Sequence, residues 1–247
     1  MSPGAFRFNS ASHVYSCTTN GPSFFGVSAA IPAGAATLVR VSYLGVGVGE
    51  LRRMSTTTNA MTTLAGKFLM DCQRGIQVTV DLIVGQVSPG PTANLEQSLL
   101  TFTAFHYSVA DDRSTAWSVH RNSNWTAGGG GISPLQFDGG DVLTVGSVSW
   151  SASSNELTVS VTGNYYVYVG GGAQPNAALG LTVQRNGAGE MGVYRAATNA
   201  NGVDTFGYGA VVYLSDGDRL RVIAEPNTAG YSGSGLRVTS FFGFLII

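Results

Sequence analysis

Alternating and continuously apolar runs cover almost the whole chain and are interrupted by Gly, Asn, Asp and Pro. Ile76–Val84 (IQVTVDLIV) begins with strict alternation and then becomes continuously apolar, which is typical of a strand that enters a buried core. Runs of this kind, rich in β-branched and aromatic residues, predict strands. The predicted strands are Ala36–Val48, Gly66–Cys72, Ile76–Val87, Leu99–Val109, Trp117–Asn122, Leu157–Thr162, Tyr165–Val169, Leu179–Arg185, Ala210–Leu214, Arg219–Ala224 and Leu236–Ile247. Many short strands at regular spacing predict an all-β protein of the sandwich or jelly-roll type.

Composition and charge exclude several classes of protein. The chain has 247 residues and a net charge of −1, so it lacks the basic excess that binding to nucleic acid needs. The sequence contains no run of about 18 apolar residues, so it predicts no membrane span. Its N-terminal part has no signal-peptide pattern. Only 11% of the residues are charged, against about 25% in an ordinary domain. This low fraction favours a surface that is hidden against other subunits, although a surface of small polar residues would give the same number.

A polar patch between two β-rich runs predicts the domain organisation. Ala110–Arg113 (ADDR) interrupts the apolar pattern. We therefore predict an N-terminal β-sandwich-like domain at 1–110, a linker at 111–113 and a C-terminal domain at 114–247. No motif places residues 1–110 in a family, and their position predicts a role in anchoring or assembly.

Four segments of the C-terminal part resemble a known family. They are, in chain order, Ala116–Arg121 (AWSVHR), Phe137–Tyr168 with its Gly-x-Tyr-Tyr, Leu181–Gly187 with its Asn-Gly turn, and Gly209–Leu220 with its Ser-Asp-Gly-Asp turn followed by Ser240–Leu245 (SFFGFL). In this order they resemble the C1q domain, the jelly roll shared with the tumour necrosis factor family. The resemblance covers about 114–247 and does not extend to 1–110.

This resemblance implies a jelly roll that packs about a threefold axis as a homotrimer. Tyr165 faces one side of its strand while Tyr166 and Tyr168 face the other, and bulky residues on both faces indicate a strand that is covered on both sides. The closing run is apolar to the last residue and would favour aggregation if it were exposed. The candidate trimer-interface residues are Tyr165, Tyr166, Tyr168, Phe241, Phe242, Phe244 and Ile246. Trp125 and Tyr231 are candidate exposed contacts for a partner, and a place in the core fits the sequence equally well.

Catalytic signals are poor throughout the sequence. Gly187–Gly192 fits GxGxxG, but no apolar-periodic helix follows to bind a pyrophosphate, so we predict a glycine-rich hairpin. There is no GxSxG motif and no pair of histidines at metal-ligand spacing. We therefore predict that the protein is not an enzyme and that it needs no cofactor and no metal.

The remaining acidic residues and cysteines give no site. Some C1q-like domains bind calcium through aspartates in the loop before the final strand, but the corresponding 227–235 contains no carboxylate. Asp111 and Asp112 are interpreted as a solvated linker, and Asp204 is an isolated candidate calcium ligand. The two cysteines, Cys17 and Cys72, form either a disulfide or two free buried thiols.

These observations predict a non-enzymatic virion structural protein at the virion surface. It would be a trimeric capsid-decoration, head-fibre or tail-fibre component that binds a capsid or fibre protein and stabilises the capsid or attaches to a host glycan or protein. The alternative is a secreted or cell-surface C1q-like binding module. A second alternative is a fibre-associated glycan hydrolase, which would need a pair of carboxylates from Asp111, Asp112, Asp138 and Asp141.

Overall fold

A computed structural model of the chain describes residues 6–9, 14–31, 37–53, 62–85, 100–106, 114–128, 133–139, 142–196, 203–232 and 237–246. Within these ranges every regular element is a strand, which confirms the predicted all-β class. No helix among them is long and apolar enough to cross a membrane. The proposed linker at 111–113 lies outside the described residues, so the domain boundary stays a prediction.

The strands fall into two groups along the chain. The first group is β1 (Phe6–Asn9), β2 (Val14–Cys17), β3 (Gly21–Ile31), β4 (Thr37–Tyr43), β5 (Val46–Arg53), β6 (Thr62–Cys72), β7 (Gln77–Gly85) and β8 (Leu100–His106). The second group begins with β9 (Ala116–Arg121), β10 (Trp125–Thr126), β11 (Ser133–Pro134), β12 (Leu143–Val145), β13 (Val148–Ser151), β14 (Glu156–Val159) and β15 (Gly163–Ala173). It continues with β16 (Leu179–Arg185), β17 (Ala188–Arg195), β18 (Asp204–Leu214), β19 (Arg219–Ala224), β20 (Ala229–Tyr231) and β21 (Thr239–Ile246).

The second group folds into a jelly roll, which we call the second sandwich. One of its sheets has the order β10-β20-β15-β21-β9-β12, with β18 also paired to β15, and the other has β13-β14-β19-β16-β17, with β11 also paired to β19. The chain passes repeatedly from one antiparallel sheet to the other, as in double-sheet jelly rolls. Its core lies between the sheets and includes the fully buried Trp117, Tyr165 and Phe241.

The first group also forms two sheets around a core, and we call it the first sandwich. Their orders are β1-β2-β7-β4-β5 and β6-β3-β8. Phe25 and Phe68 from the three-stranded sheet share this core with Val41 and Val78 from the five-stranded sheet. A disulfide joins Cys17 of β2 to Cys72 of β6 with the Cα atoms 6.2 Å apart, and so links the two sheets.

The two sandwiches repeat each other at a constant spacing of 142 residues. β3 (Gly21–Ile31) corresponds in this way to β15 (Gly163–Ala173), and all of β1 to β6 have partners in β13 to β18 with identical bounds at this spacing. The sheet order β1-β2-β7-β4-β5 becomes β13-β14-β19-β16-β17, and β6-β3-β8 becomes β18-β15-β21. Below, residues 142 apart are called equivalent. The sequence analysis did not detect this repeat, and it extends the strand order of the jelly roll to residues that the resemblance left unplaced.

Fine details of the backbone repeat as well. The hairpin of β4 and β5 shifts register after Val41, and the hairpin of β16 and β17 shifts after the equivalent Val183. Both hairpins turn through two residues of positive φ, Leu44 and Gly45 in the first and Asn186 and Gly187 in the second. Two-residue turns of this kind favour Asn-Gly because both residues tolerate positive φ. The glycine-rich hairpin predicted at Gly187 is thus confirmed.

Candidate interaction interface

The alternation of β15 decides which aromatic side chains are available for contact. Tyr165 points into the core of the second sandwich and is fully buried, and Phe241 of β21 does the same. This corrects their assignment as candidate trimer-interface residues, because a side chain between the two sheets cannot reach another subunit. Tyr166 and Tyr168 point to the opposite, outer face of the sheet.

The outer face is built from rings that lie over glycines. Tyr168 pairs with Gly209 of β18, and a side chain at Gly209 would overlap the ring of Tyr166. Tyr168 stacks on Phe242 with ring centroids 4.8 Å apart, and Tyr166 stacks on Phe244 at 5.3 Å. Stacked aromatic pairs of this kind contribute about 0.5–1.5 kcal/mol beyond the area they bury.

Most of this face is covered by the first sandwich of the same chain. Phe24 of β3 meets three of its rings edge-on, with centroid distances of 6.1 Å to Tyr166, 6.0 Å to Phe242 and 6.2 Å to Phe244. Leu69 of β6 is 1% exposed and packs in the same cluster. We call this the inter-sandwich interface. Phe242 is fully buried and Tyr168 is 5% exposed here, which corrects their assignment as trimer-interface residues. Tyr166 and Phe244 also have contacts within one chain, and their contact with other subunits stays a prediction.

Polar groups frame the inter-sandwich interface. Lys67 Nζ donates a hydrogen bond to the Tyr166 hydroxyl at 2.6 Å. The Arg52 backbone N–H donates to the Thr205 hydroxyl at 2.9 Å, and that hydroxyl donates to the Arg52 carbonyl at 3.2 Å. The Arg52 guanidinium also lies 5.4 Å from the centre of the Tyr231 ring. These contacts fix the orientation of the first sandwich on the second.

The inter-sandwich interface leaves little free space between its side chains. The cavity between Lys67, Tyr168 and Arg237 has only about 10 Å³, which is room for one water molecule at most. Burial raises the pKa of the Tyr168 hydroxyl, so this group stays protonated at all ordinary pH values. The surface therefore has the character of a stable protein–protein contact.

An apolar row extends from this interface into solvent. Val211 and Tyr213 of β18 are 60% and 58% exposed, and Ile246 of β21 is 43% exposed. Tyr213 and Ile246 both pair with Asn164, which lies between them, while Val211 pairs with Tyr166, so all three side chains lie on the outer face. We call Val211, Tyr213 and Ile246 the apolar row. Contiguous exposed apolar residues mark interaction sites more often than single ones do.

The two candidate contacts of the sequence analysis lie elsewhere. Trp125 is only 7% exposed and packs in the core of the second sandwich over Gly230, where a side chain would overlap its indole ring. This corrects its interpretation as an exposed contact. Tyr231 is half-buried beside Arg52 of the first sandwich, and its contact with a partner stays a prediction.

No cluster of three or more metal-ligating side chains occurs among the described residues. Asp204 pairs with Arg195 at 3.5 Å. Asp138 accepts hydrogen bonds from the backbone and side chain of Ser123. Partial burial alone would raise the pKa of Asp138, but these bonds and that from Asn122 hold its pKa below the ordinary value. The other proposed carboxylates, at 111, 112 and 141, lie outside the described residues.

The sequence analysis missed the contribution of the first sandwich to the interface. The signal was present in glycines at the repeat spacing of 142, such as Gly45 with Gly187 and Gly75 with Gly217. Each of these glycines has positive φ in a turn between two successive strands. Comparing the two parts of the sequence with each other would have placed residues 1–110.

No protein-family profile and no curated protein sequence matches this chain. Similar solved structures include the tumour necrosis factor Eiger of S. frugiperda, the globular domain of the zebrafish complement 1qA protein and murine APRIL. Their sequence identities are 14%, 21% and 16%, and they match 55%, 54% and 54% of this chain. The matches cover 93%, 98% and 99% of those chains, each with a TM-score of 0.42. The conclusions below rest on the strand order and contacts of this chain itself.

Proposed function

We propose that this chain is a non-enzymatic structural or binding module that acts through contact between protein surfaces. The observation that carries the proposal is the apolar row, which continues the inter-sandwich interface into solvent. Tyrosine, which Tyr213 contributes to this row, is among the residues enriched where most of the energy of protein recognition is concentrated. The C1q-like motifs of 114–247 agree with this role.

The disulfide supports a place outside the reducing cytosol. Cys17 and Cys72 are joined across the two sheets of the first sandwich, and structural disulfides persist in secreted proteins and at cell or virion surfaces. Two placements follow: a secreted or cell-surface C1q-like module, and a capsid-decoration or fibre component of a virion. The disulfide favours the first, because a virion component assembled in the cytosol would have to fold in its reduced form.

Fractionation of the natural source under thiol-blocking conditions tests the placement. An antibody against the chain is applied to culture medium, intact cells, cytosol and density-purified particles, and the thiols are counted by mass after alkylation. Oxidised protein in the medium or on cells supports the module, and co-purification with particles supports the virion component. Fully reduced protein confined to the cytosol would overturn both placements.

Binding of the purified, oxidised chain tests the surface-contact function. Fluorescent protein is titrated onto intact cells and purified particles of the source. The double substitution Val211→Asp/Tyr213→Asp should lower binding at least tenfold. Val46→Asp is the matched control, because Val46 is 67% exposed on a hairpin of the first sandwich. Equal binding by all three proteins would contradict the assignment of function to the apolar row.

A further inference from the structure

A groove lies on the sheet β13-β14-β19-β16-β17 of the second sandwich, on the face that points away from the core. It has a volume of about 460 Å³, which is within the usual range for small-ligand pockets. Leu181 and Val183 of β16 pack in the core, so Thr182 between them points outward into the groove. The lining consists of Thr182, Gly192, Val193, Tyr194, Glu225 and Pro226. This groove is separate from the apolar row, which lies on the other sheet.

Two glycines open this part of the sheet. Gly180 of β16 pairs with Tyr194 of β17, and its carbonyl accepts a hydrogen bond from the Glu225 backbone N–H at 2.9 Å. A Cβ at Gly180 would lie 2.7 Å from the Glu225 side chain and 3.2 Å from the Tyr194 ring, so both side chains lean over this glycine. Gly192 is exposed opposite Thr182 and leaves the space above that pair open. The groove therefore has an aromatic wall and a carboxylate wall above a floor of small residues.

The polar side-chain atoms of the groove are all oxygens, and two of them belong to the Glu225 carboxylate. The Thr182 hydroxyl donates a hydrogen bond to Glu225 Oε1 at 2.6 Å, which places the carboxylate beside the pair of Thr182 and Gly192. No lysine, arginine or histidine is among the described residues that line the groove. Tyr194 is 69% exposed at the same place. A carboxylate and an exposed aromatic ring both attract positive charge.

The first sandwich fills the corresponding place with its own cations. Arg40 and Arg52 both pair there with the buried Glu50. Their equivalents in the groove are Thr182 and Tyr194, neither of which is cationic. The groove has a carboxylate from the segment after β19 but no arginine equivalent to those of the first sandwich.

We propose that this groove binds an alkylammonium group, which is supplied by a free primary amine or by a lysine side chain of another protein. The ammonium donates hydrogen bonds to Glu225 and lies against the Tyr194 ring, while the alkyl chain packs on Pro226. An ammonium only donates hydrogen bonds, which suits a lining of carboxylate and hydroxyl oxygens. A sugar hydroxyl also has to accept hydrogen bonds, and the described lining has no cationic donor for it. The inference goes beyond the proposed function and does not rest on it.

Titration of the purified, oxidised chain with n-butylammonium chloride and with Nα-acetyl-lysine methylamide tests the proposal. Amide chemical shifts in NMR should show saturable binding that is confined to β16, β17 and 225–226 and weakens as sodium chloride is raised. Tighter binding of the lysine derivative assigns the groove to a protein side chain, and tighter binding of butylammonium assigns it to a free amine. Methyl β-glucoside is the neutral comparison and should not bind. Absence of saturable binding by both amines, or binding of the glucoside as strong as theirs, would overturn the proposal.

Substitutions in the groove separate the contribution of the carboxylate from that of the ring. Glu225→Gln should weaken the binding of both amines roughly fivefold, and Tyr194→Leu roughly twofold. Glu190→Gln is the matched control, because it removes a negative charge from the same pair of strands outside the groove, and it should leave the affinity unchanged. Near-ultraviolet circular dichroism verifies that each variant is folded. Equal losses of affinity in Glu225→Gln and Glu190→Gln would indicate a general charge effect and overturn the assignment of the site.

The failure of this inference can be told apart from that of the proposed function. If neither amine binds but contact with cells or particles still depends on Val211 and Tyr213, the proposed function stands and the ammonium site is wrong. If the amines bind and substitution of the apolar row has no effect on contact, the ammonium site stands and the assignment of function to the apolar row is wrong.

Discussion

The chain follows the same path in both sandwiches, but different interactions stabilise each of them. The first is cross-linked by Cys17–Cys72, whereas the equivalent residues Val159 and Leu214 of the second are simply packed in its core. Core volumes are also distributed differently, since Phe68 of the first is equivalent to Ala210 of the second. Turns, register shift and sheet order are retained while the interior changes. The path of the chain thus depends on a few backbone positions, and different side chains can fill the space between the sheets.

The outer surfaces have diverged further than the cores. In the first sandwich Glu50 is 1% exposed and forms ion pairs with Arg40 and Arg52. The positions equivalent to Glu50 and Arg52 hold Gly192 and Tyr194, which carry no charge. The buried charge of the first sandwich thus has no counterpart at the equivalent position of the second.

Removing the disulfide should give the largest effect. Closing a loop with a sequence separation of 55 residues is expected to stabilise the folded state by about 4 kcal/mol. Cys17→Ala/Cys72→Ala should therefore lower the free energy of unfolding of the first sandwich by about that amount. This loss in the free energy of unfolding is measured in denaturant, with hydrogen exchange reporting separately on the strands of each sandwich. As a control, a reductant should destabilise the wild-type chain but not this variant. An equal loss of stability in both sandwiches would contradict the assignment of the disulfide's effect to the first sandwich.

Truncation of two equivalent residues, Leu69 and Val211, tests the difference in their burial. Leu69→Ala should cost about 3 kcal/mol, since it leaves a cavity in the inter-sandwich interface. Val211→Ala, at the exposed equivalent position, should change the stability of a dilute monomeric sample by less than about 0.5 kcal/mol. Thermal unfolding of both variants measures the contrast. Similar losses of stability in the two variants would contradict the difference in burial between Leu69 and Val211.

Neutralising the buried carboxylate of the first sandwich should have a smaller effect. Glu50→Gln leaves Arg40 and Arg52 without their shared ion pair, but each arginine side chain is about a third exposed and can be hydrated. The expected cost is about 1–2 kcal/mol in chemical denaturation. Glu190→Gln, which breaks a more exposed pair with Arg185, should cost under about 1 kcal/mol. An equal cost for both would remove the distinction between the two outer surfaces.

Acid should weaken the turn of the second sandwich that contains Asp218. Partial burial alone would raise the pKa of Asp218, but hydrogen bonds from the Ser215 N–H and the Asn186 amide, with Arg185 nearby, hold this pKa below its ordinary value. A depressed pKa contributes stability above the unfolded value, about 3.9, and loses it as the pH falls through the folded value. The equivalent residue in the first sandwich is Ile76, which does not titrate.

Asp218→Asn provides the measurement. Its melting temperature should lie slightly below that of wild type at pH 7, and the difference should shrink as the pH falls below about 4. Ile76→Ala is a control for a change in the equivalent turn, and its effect should not depend on pH in this window. A constant difference between Asp218→Asn and wild type from pH 7 to pH 3 would contradict the role of this carboxylate.

Local sequence signals made the second sandwich predictable, whereas the first sandwich lacks such signals. Asn186-Gly187 is a typical hairpin dipeptide, whereas Leu44 adopts the same positive φ without any such signal. Alternation separated Tyr165 from Tyr166, but it did not show which of the two faces the core, because both faces are aromatic. Trp125 was misplaced because its strand has only two residues, too short for a pattern. The inter-sandwich contact joins residues far apart in sequence, and no local pattern encodes it.

The rings that lie over β18 also bear on how the chain avoids folding errors. Neighbouring domains with the same strand order are prone to exchange strands while they fold. If β6 took the place of β18 beside β15, Lys67 would occupy the position of Gly209, and its side chain would overlap the ring of Tyr166. Gly209 leaves room for the ring of Tyr166, whereas the equivalent lysine of β6 would not. Steric fit therefore favours β18 over its equivalent strand beside β15.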